Sequence, residues 1–295
     1  MIRTYTYKKA TWVDVEDPTI EDVREIVQSY SIHPLAAEEL LVPSARSKAE
    51  RFDDYVYLAL KLPTGEVDFI VGRDFIVTAH QGPVDSLHHF SKMFEVNSVL
   101  ERNRELGEHA GFMFYYIIRA LYYGLSNELE SVREALTEIE AETFSGRERD
   151  MVFEISKVSR ELLAFKHATA LHEEVLSSFS LAARGFFPAD FSHYLDDAKS
   201  ECLKVHKEVH SLSESLHELR ETNGALLETK QNKIMQTFTA ITVVSAVVTI
   251  VFNWFLIEAD DTPFAHSPHE FALVGAMALA AALLVVFIMM RKKWL

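Results

Sequence analysis

Along the first 80 residues, apolar and polar positions alternate in short runs separated by stretches of helical spacing. TWVDVED (11–17) has the alternation of a strand, and PTIEDVREIVQSY (18–30) has apolar residues three and four apart, as a helix does. HPLAAEELL (33–41) predicts a second, short helix. RFDDYVYLALKL (51–62), EVDFIVG (66–72) and DFIVTAH (74–80) are rich in β-branched and aromatic residues and read as strands. Pro63-Thr64-Gly65 and Gly72-Arg73-Asp74 supply the turns between them. Such short local connections predict a mixed sheet with helices packed on its faces. From about residue 86 the pattern is helical. Residues 108–141 and 147–180 form two long helices, turned into one another at Ser145-Gly146, and GFFPADF (185–191) ends the series. Residues 193–257 then contain no proline and only Gly224. A continuous helix there would run ~95 Å at 1.5 Å per residue. It would need neighbours along one face to be stable.

Two runs, 234–257 and 271–290, carry no charged side chain. Each is long enough to cross the ~30 Å of hydrocarbon in a bilayer. Lys230 and Lys233 precede the first, and Arg291, Lys292 and Lys293 follow the second. The loop between them, EADDTPFAHSPHE, has neither lysine nor arginine. The positive-inside rule therefore places both termini in the cytoplasm and the loop outside. The predicted organisation is a cytosolic α/β domain over 1–190, a stalk over 191–233, a first span over 234–257, an outer loop over 258–270, a second span over 271–290 and a basic tail over 291–295. MIRTYTYKKATW does not resemble a signal peptide.

The first span is not uniformly apolar. With Asn232 at heptad position a, the a and d positions are Asn232, Met235, Thr239, Thr242, Ala246, Thr249 and Asn253, and Ser245 lies beside them. Ile241, Val244, Val248 and Val251 occupy the other side. A repeat of 3.5 residues implies helices wrapping around a common axis, with the seam facing inward. Threonine bonded back to its own helix, or small polar residues at helix contacts, would account for one or two of these positions. A stripe running the length of the span points to a water-lined path, whose oxygens suit a hydrated cation. The same register in the stalk gives Lys207, Ser211, Glu214, Glu218, Glu221, Ala225 and Glu228. Repeated around a symmetric oligomer, these glutamates would form acidic rings that concentrate cations; in one chain they would be a solvated face. Two spans cannot enclose a pore, so several subunits must.

Charge and composition narrow the chemistry. The net charge is −15, which argues against nucleic acid as a partner, and the single Cys202 excludes an intrachain disulfide. There is no phosphate-cradling glycine loop and no nucleophile with an evident base, so neither an enzyme nor an ATP-driven pump is expected. Asp53 and Asp54 are assigned to hydrogen bonding at the sheet edge. His206, His210 and His217 share one side of the stalk and are expected to be solvated, although an i,i+4 histidine pair can bind zinc. Asp260, Asp261, His266 and His269 form a metal-binding candidate in the outer loop, weighed against an ordinary polar loop.

These residues resemble the CorA-type metal ion transporters, pentameric Mg2+ channels of the inner membrane. The likeness is carried by WVDVEDPTIEDVREIVQSYSIHPLAAEELL, SKAERFDDYVYLALKLP, EVDFIVGRDFIVTAHQGPVDSL, NKIMQTFT and the terminal RKKWL. The resemblance implies a cytosolic α/β/α funnel domain, a stalk helix continuing into a pore-lining first span, and a second span around it. It implies an inner-membrane homopentamer that carries Mg2+, Co2+, Ni2+ or Zn2+ as transported and regulatory ion. By position, Asp197 matches an aspartate of a regulatory metal site between subunits, with a partner acid near Glu66 or Asp68. One feature departs from the family. Phe255-Leu256-Ile257-Glu258 stands where the family has Tyr-Gly-Met-Asn, so a glutamate would replace the asparagine that holds hydrated Mg2+ at the outer mouth. Five carboxylates would bind a divalent ion more strongly and discriminate less among metals. A zinc-type relative of the same fold, and a non-conducting membrane regulator, remain alternatives.

Overall fold

The computed structural model describes residues 1–99, 109–256 and 270–292. The chain divides into two compact units, Met1–Arg220 and Glu221–Leu295.

The first unit is built on a six-stranded sheet. Its strands are β1 (Ile2–Tyr7), β2 (Ala10–Glu16), β3 (Lys48–Arg51), β4 (Tyr55–Leu62), β5 (Gly65–Gly72) and β6 (Phe75–His80), in the order β1-β2-β6-β5-β4-β3. Only β2 and β6 pair in parallel; the other pairs are antiparallel. Successive side chains of a strand point to opposite faces, and both faces are buried. Val13, Val15, Tyr55, Tyr57, Ile70 and Val77 pack on one side against α1 (Ile20–Tyr30) and α2 (Pro34–Glu39). Trp12, Val56, Leu58, Leu60, Phe69 and Ile76 pack on the other against the long helices. The mixed α/β/α sandwich expected from the pattern is the fold observed.

The second face is covered by α3 (Asp85–Val99), α4 (Ala110–Glu142), α5 (Glu148–Thr169), α6 (His172–Ala182) and the beginning of α7 (Ser192–Leu256). Phe114 of α4 and Phe179 of α6 have ring centroids 4.2 Å apart, and Phe69 of β5 meets Phe114 edge-on. The expected turn between α4 and α5 is a kink within Thr143–Arg147. Gly146 takes φ 98 there, a conformation that a residue with a Cβ pays to adopt.

Three details differ from the sequence reading. β1 was not anticipated, although Ile2–Tyr7 pairs residue for residue with β2. The helix expected over 147–180 is two helices, broken at Ala170-Leu171. The strand expected over 51–62 is β3 and β4 with a turn between them, closed by the Phe52 amide donating to the Tyr55 carbonyl at 2.9 Å. Asp53 and Asp54 are therefore exposed turn residues rather than sheet-edge partners.

The second unit contains the remainder of α7 and the helix α8 (Glu270–Arg291). Both carry windows apolar and long enough to cross a membrane, with mean hydropathy 2.0 and 2.7. In α7 the covered positions are Ala240, Val244, Val247, Val248 and Val251; in α8 they include Val274, Gly275, Ala278, Ala282, Val285 and Met289. Each set is one stripe of its helix. In a unit with no other described helix, these stripes are the helix–helix contact. Small residues such as Gly275 and Ala278 are common where helices pack in lipid.

Candidate functional site: a polar helix face and its flanking acids

At 100° per residue, Asn232, Met235, Thr239, Thr242, Ala246, Thr249 and Asn253 lie on the side of α7 opposite the stripe that α8 covers. All seven are exposed in the single chain. The hydroxyls of Thr239, Thr242 and Thr249 donate to the carbonyls of Met235, Phe238 and Ser245 at 2.8, 2.9 and 2.8 Å. Such back-bonding satisfies the hydroxyl proton within the helix. It also fixes what the face offers outward: with the proton spent, each threonine oxygen presents only lone pairs. Thr237, off this stripe, bonds to Lys233 in the same way, so the bond alone does not mark the face. What marks it is the run of such oxygens on one side, opposite the packed side. Leu256 ends α7, while Ile257, Glu258 and the loop residues Asp260, Asp261, His266 and His269 lie outside the described residues.

The acidic positions follow the same logic. Within Met1–Arg220, α7 turns Leu195, Ala198, Cys202, Val205, Val209, Leu212, Leu216 and Leu219 into the core. Glu214 and Glu218 stand exposed on the far side of the helix from these residues. Glu221 and Glu228, in the second unit, are exposed as well.

Asp197 and Glu66 have separate partners. Asp197 accepts a 2.6 Å hydrogen bond from the hydroxyl of Tyr115 on α4, whose own ionisation is pushed up to about 12 by burial and by that carboxylate. Glu66 on β5 accepts from the Ser44 amide at 2.7 Å, and its other carboxylate oxygen is buried without a hydrogen bond. Burial raises the Glu66 pKa. No group of three or more His, Cys, Asp and Glu able to hold a metal ion occurs among the described residues.

Two buried polar networks in the sheet, and a third beneath α4, escaped the sequence reading. In one, the Trp12 indole donates to Thr78 at 2.8 Å and Thr78 donates to Asp14 at 2.6 Å, with the His80 ring 3.4 Å from the same carboxylate oxygen. Burial works against the charge on His80, and Asp14 outweighs it, so its pKa is raised. In the other, Tyr57 donates to Asp68 at 2.6 Å, and burial raises the Asp68 pKa to about 8. Beneath α4, His172 sits between the Tyr122 hydroxyl and the Lys61 carbonyl at 3.0 and 2.8 Å, and burial lowers its pKa to about 4. A neutral His172 joins α4, α6 and the end of β4. The only sequence signal for these networks was polar residues at inward strand positions, such as Asp14 and Asp68.

Comparison with known proteins places this architecture. The family described as CorA-like Mg2+ transporter protein matches residues 7–292. The cobalt/magnesium transport protein CorA of Methanocaldococcus jannaschii is 21% identical over 96% of this chain and 91% of its own length. The protein of the same name from Thermotoga maritima is 21% identical over 97% of this chain and 83% of its own. The complete structure of the M. jannaschii CorA magnesium transporter superposes with a TM-score of 0.84 at 18% identity, covering 97% of this chain and 92% of that one. A mixed-sheet domain, a long helix and two candidate membrane helices thus recur together, and the chain belongs to the CorA-like family of Mg2+ transporters.

Proposed function

We propose that this chain forms a homopentameric inner-membrane channel for divalent cations, with α7 lining the path and α8 outside it. The supporting observation is the polar face of α7. The hydroxyls of Thr239, Thr242 and Thr249 bond back to their own helix and offer lone pairs outward, and the exposed face continues from Asn232 to Asn253. A small, strongly hydrated ion such as Mg2+ keeps several of its waters. Acceptor oxygens can hold those waters by their protons without stripping them.

The glutamates at 214, 218, 221 and 228 would gather cations below the membrane, and conduction would follow the gradient and the membrane potential. Lys230, Lys233, Arg291, Lys292 and Lys293 favour an orientation with both termini in the cytoplasm. Asp197 of one subunit, with Glu66 of the next, would bind cytosolic metal and bias the closed state.

At the outer mouth, Leu256-Ile257-Glu258 would place a carboxylate ring where relatives use Gly-Met-Asn. A charged ring lowers discrimination among divalent ions, so Co2+, Ni2+ or Zn2+ would pass beside Mg2+. The test is uptake of Mg2+, Co2+, Ni2+ and Zn2+ into proteoliposomes, with and without a pH gradient. Gradient-driven uptake of at least one ion, lost in Asn253→Ala, is expected. Uptake that requires a proton gradient favours the zinc-type relative. No uptake of any ion by an assembled oligomer makes the chain a non-conducting regulator.

A further inference from the structure

The stalk segment of α7 carries a second stripe, set beside the acidic one. His206, His210, Glu214 and His217 follow one another at three- and four-residue spacing, with Ser213 beside them, along a groove of about 470 Å³ to which α5 contributes Lys166. His206 and His210 are both exposed and stand one helical turn apart. That separation lets two imidazoles of one helix reach a single metal ion. Behind them, Nδ1 of His210 lies 3.5 Å from Oε2 of Glu214. A carboxylate on one ring nitrogen orients the imidazole and leaves Nε2 for a metal, as second-shell carboxylates do in histidine sites.

The ligand type settles which ions would bind. Imidazole suits Zn2+, Ni2+, Co2+ and Cu2+, whereas Mg2+ prefers oxygen and parts reluctantly with water. We propose that His206 and His210, with Glu214 positioning His210, form a two-histidine site for borderline divalent metals that Mg2+ does not occupy. Water completes the coordination. The acidic stripe, carrying oxygen ligands alone, has no such preference. The chain would thus distinguish on its stalk two classes of ion that an acidic entrance attracts alike. The proposal concerns binding to the stalk and stands whether or not the chain conducts.

The experiment is calorimetric titration of the purified full-length protein with NiCl2 in the presence of 100-fold excess Mg2+. The wild-type protein is expected to bind one Ni2+ per chain that the His206→Gln/His210→Gln variant does not bind. Glu214→Gln should keep this site and weaken it about tenfold, the lower end of second-shell effects. The histidines are exposed, so the variants should retain wild-type helicity by circular dichroism, and this is checked first. Unchanged Ni2+ binding in the double-histidine variant, or displacement of the ion by Mg2+, overturns the proposal. The readout is heat of binding, so a negative result leaves the pore reading untouched, and a failed flux assay leaves this one untouched.

Discussion

The two units of the chain treat their polar groups in opposite ways. In Met1–Arg220, the sheet buries Trp12, Thr78 and Asp14 as a chain of donors and acceptors, and pairs Tyr57 with Asp68. In Glu221–Leu295, the hydroxyls of Thr239, Thr242 and Thr249 spend their protons inside α7 and leave their oxygens outward. Its apolar residues are equally open: Ile241, Ile250, Leu279, Leu283 and Phe287 are each about 60% exposed. The first unit completes its core within one chain. The second buries one stripe per helix and leaves both a greasy surface and an oxygen-lined one. Lipid can cover the first of these surfaces, and water with further copies can cover the second. The difference separates residues that hold the fold from residues free to serve transport.

Substitutions should respect this division. The largest expected effect is in the first unit, where Phe179→Ala removes a ring with no exposed surface packed against Phe114. Truncating a buried phenylalanine costs about 3–5 kcal/mol. Differential scanning fluorimetry should show Tm falling by on the order of 10 °C. Thr242→Val/Thr249→Val deletes two oxygens at nearly constant volume. It should leave Tm within a degree or two while liposome uptake drops tenfold or more, a barrier increase of about 1.4 kcal/mol or above. Unchanged uptake would mean these threonines only pack.

A pH series sharpens the comparison from the other side. Asp68 has its folded pKa raised to about 8, so between its ordinary value and that point the folded chain holds a proton that the unfolded chain has lost. Stability therefore declines as pH rises through this window. Asp68→Asn should remove that slope and raise Tm at pH 8.5 by about 2–4 °C, the shift expected for ~1 kcal/mol. A slope that survives the substitution assigns the effect elsewhere. The smallest effect is expected from Glu218→Gln/Glu221→Gln. Exposed carboxylates act through a screened field, so uptake should fall a few-fold at 10 mM salt and hardly at all at 0.5 M.

The sheet was legible because β4, β5 and β6 are rich in β-branched and aromatic residues and are joined by turns at Pro63-Thr64-Gly65 and Gly72-Arg73-Asp74. β1 was less so, since IRTYTY carries its signal in threonine and tyrosine with little aliphatic content. The break after α5 could not be read at all. Ala170-Leu171 contains neither glycine nor proline, and the break serves a distant contact, His172 reaching the Lys61 carbonyl 111 residues away in sequence. The polar face of α7 was visible from its period alone. Its relation to α8 was not, because small residues such as Gly275 and Ala278 look like any apolar run until their neighbours are known. Asp53 and Asp54 were misplaced for a related reason: two acids inside a strand-like run marked a turn, and the surrounding aromatics hid it.

The central claim is that the oxygen-bearing side of α7 faces water shared between copies of the chain. Cys202 is buried and can be replaced by alanine, which leaves a background for single cysteines. In liposomes, a charged thiol reagent should modify Thr242→Cys and Thr249→Cys, and oxidation should join neighbouring copies at these positions. Ile241→Cys, 59% exposed but on a different side of the helix, should resist both treatments. Modification of Ile241→Cys with protection of Thr242→Cys and Thr249→Cys would turn the helix around and contradict the account.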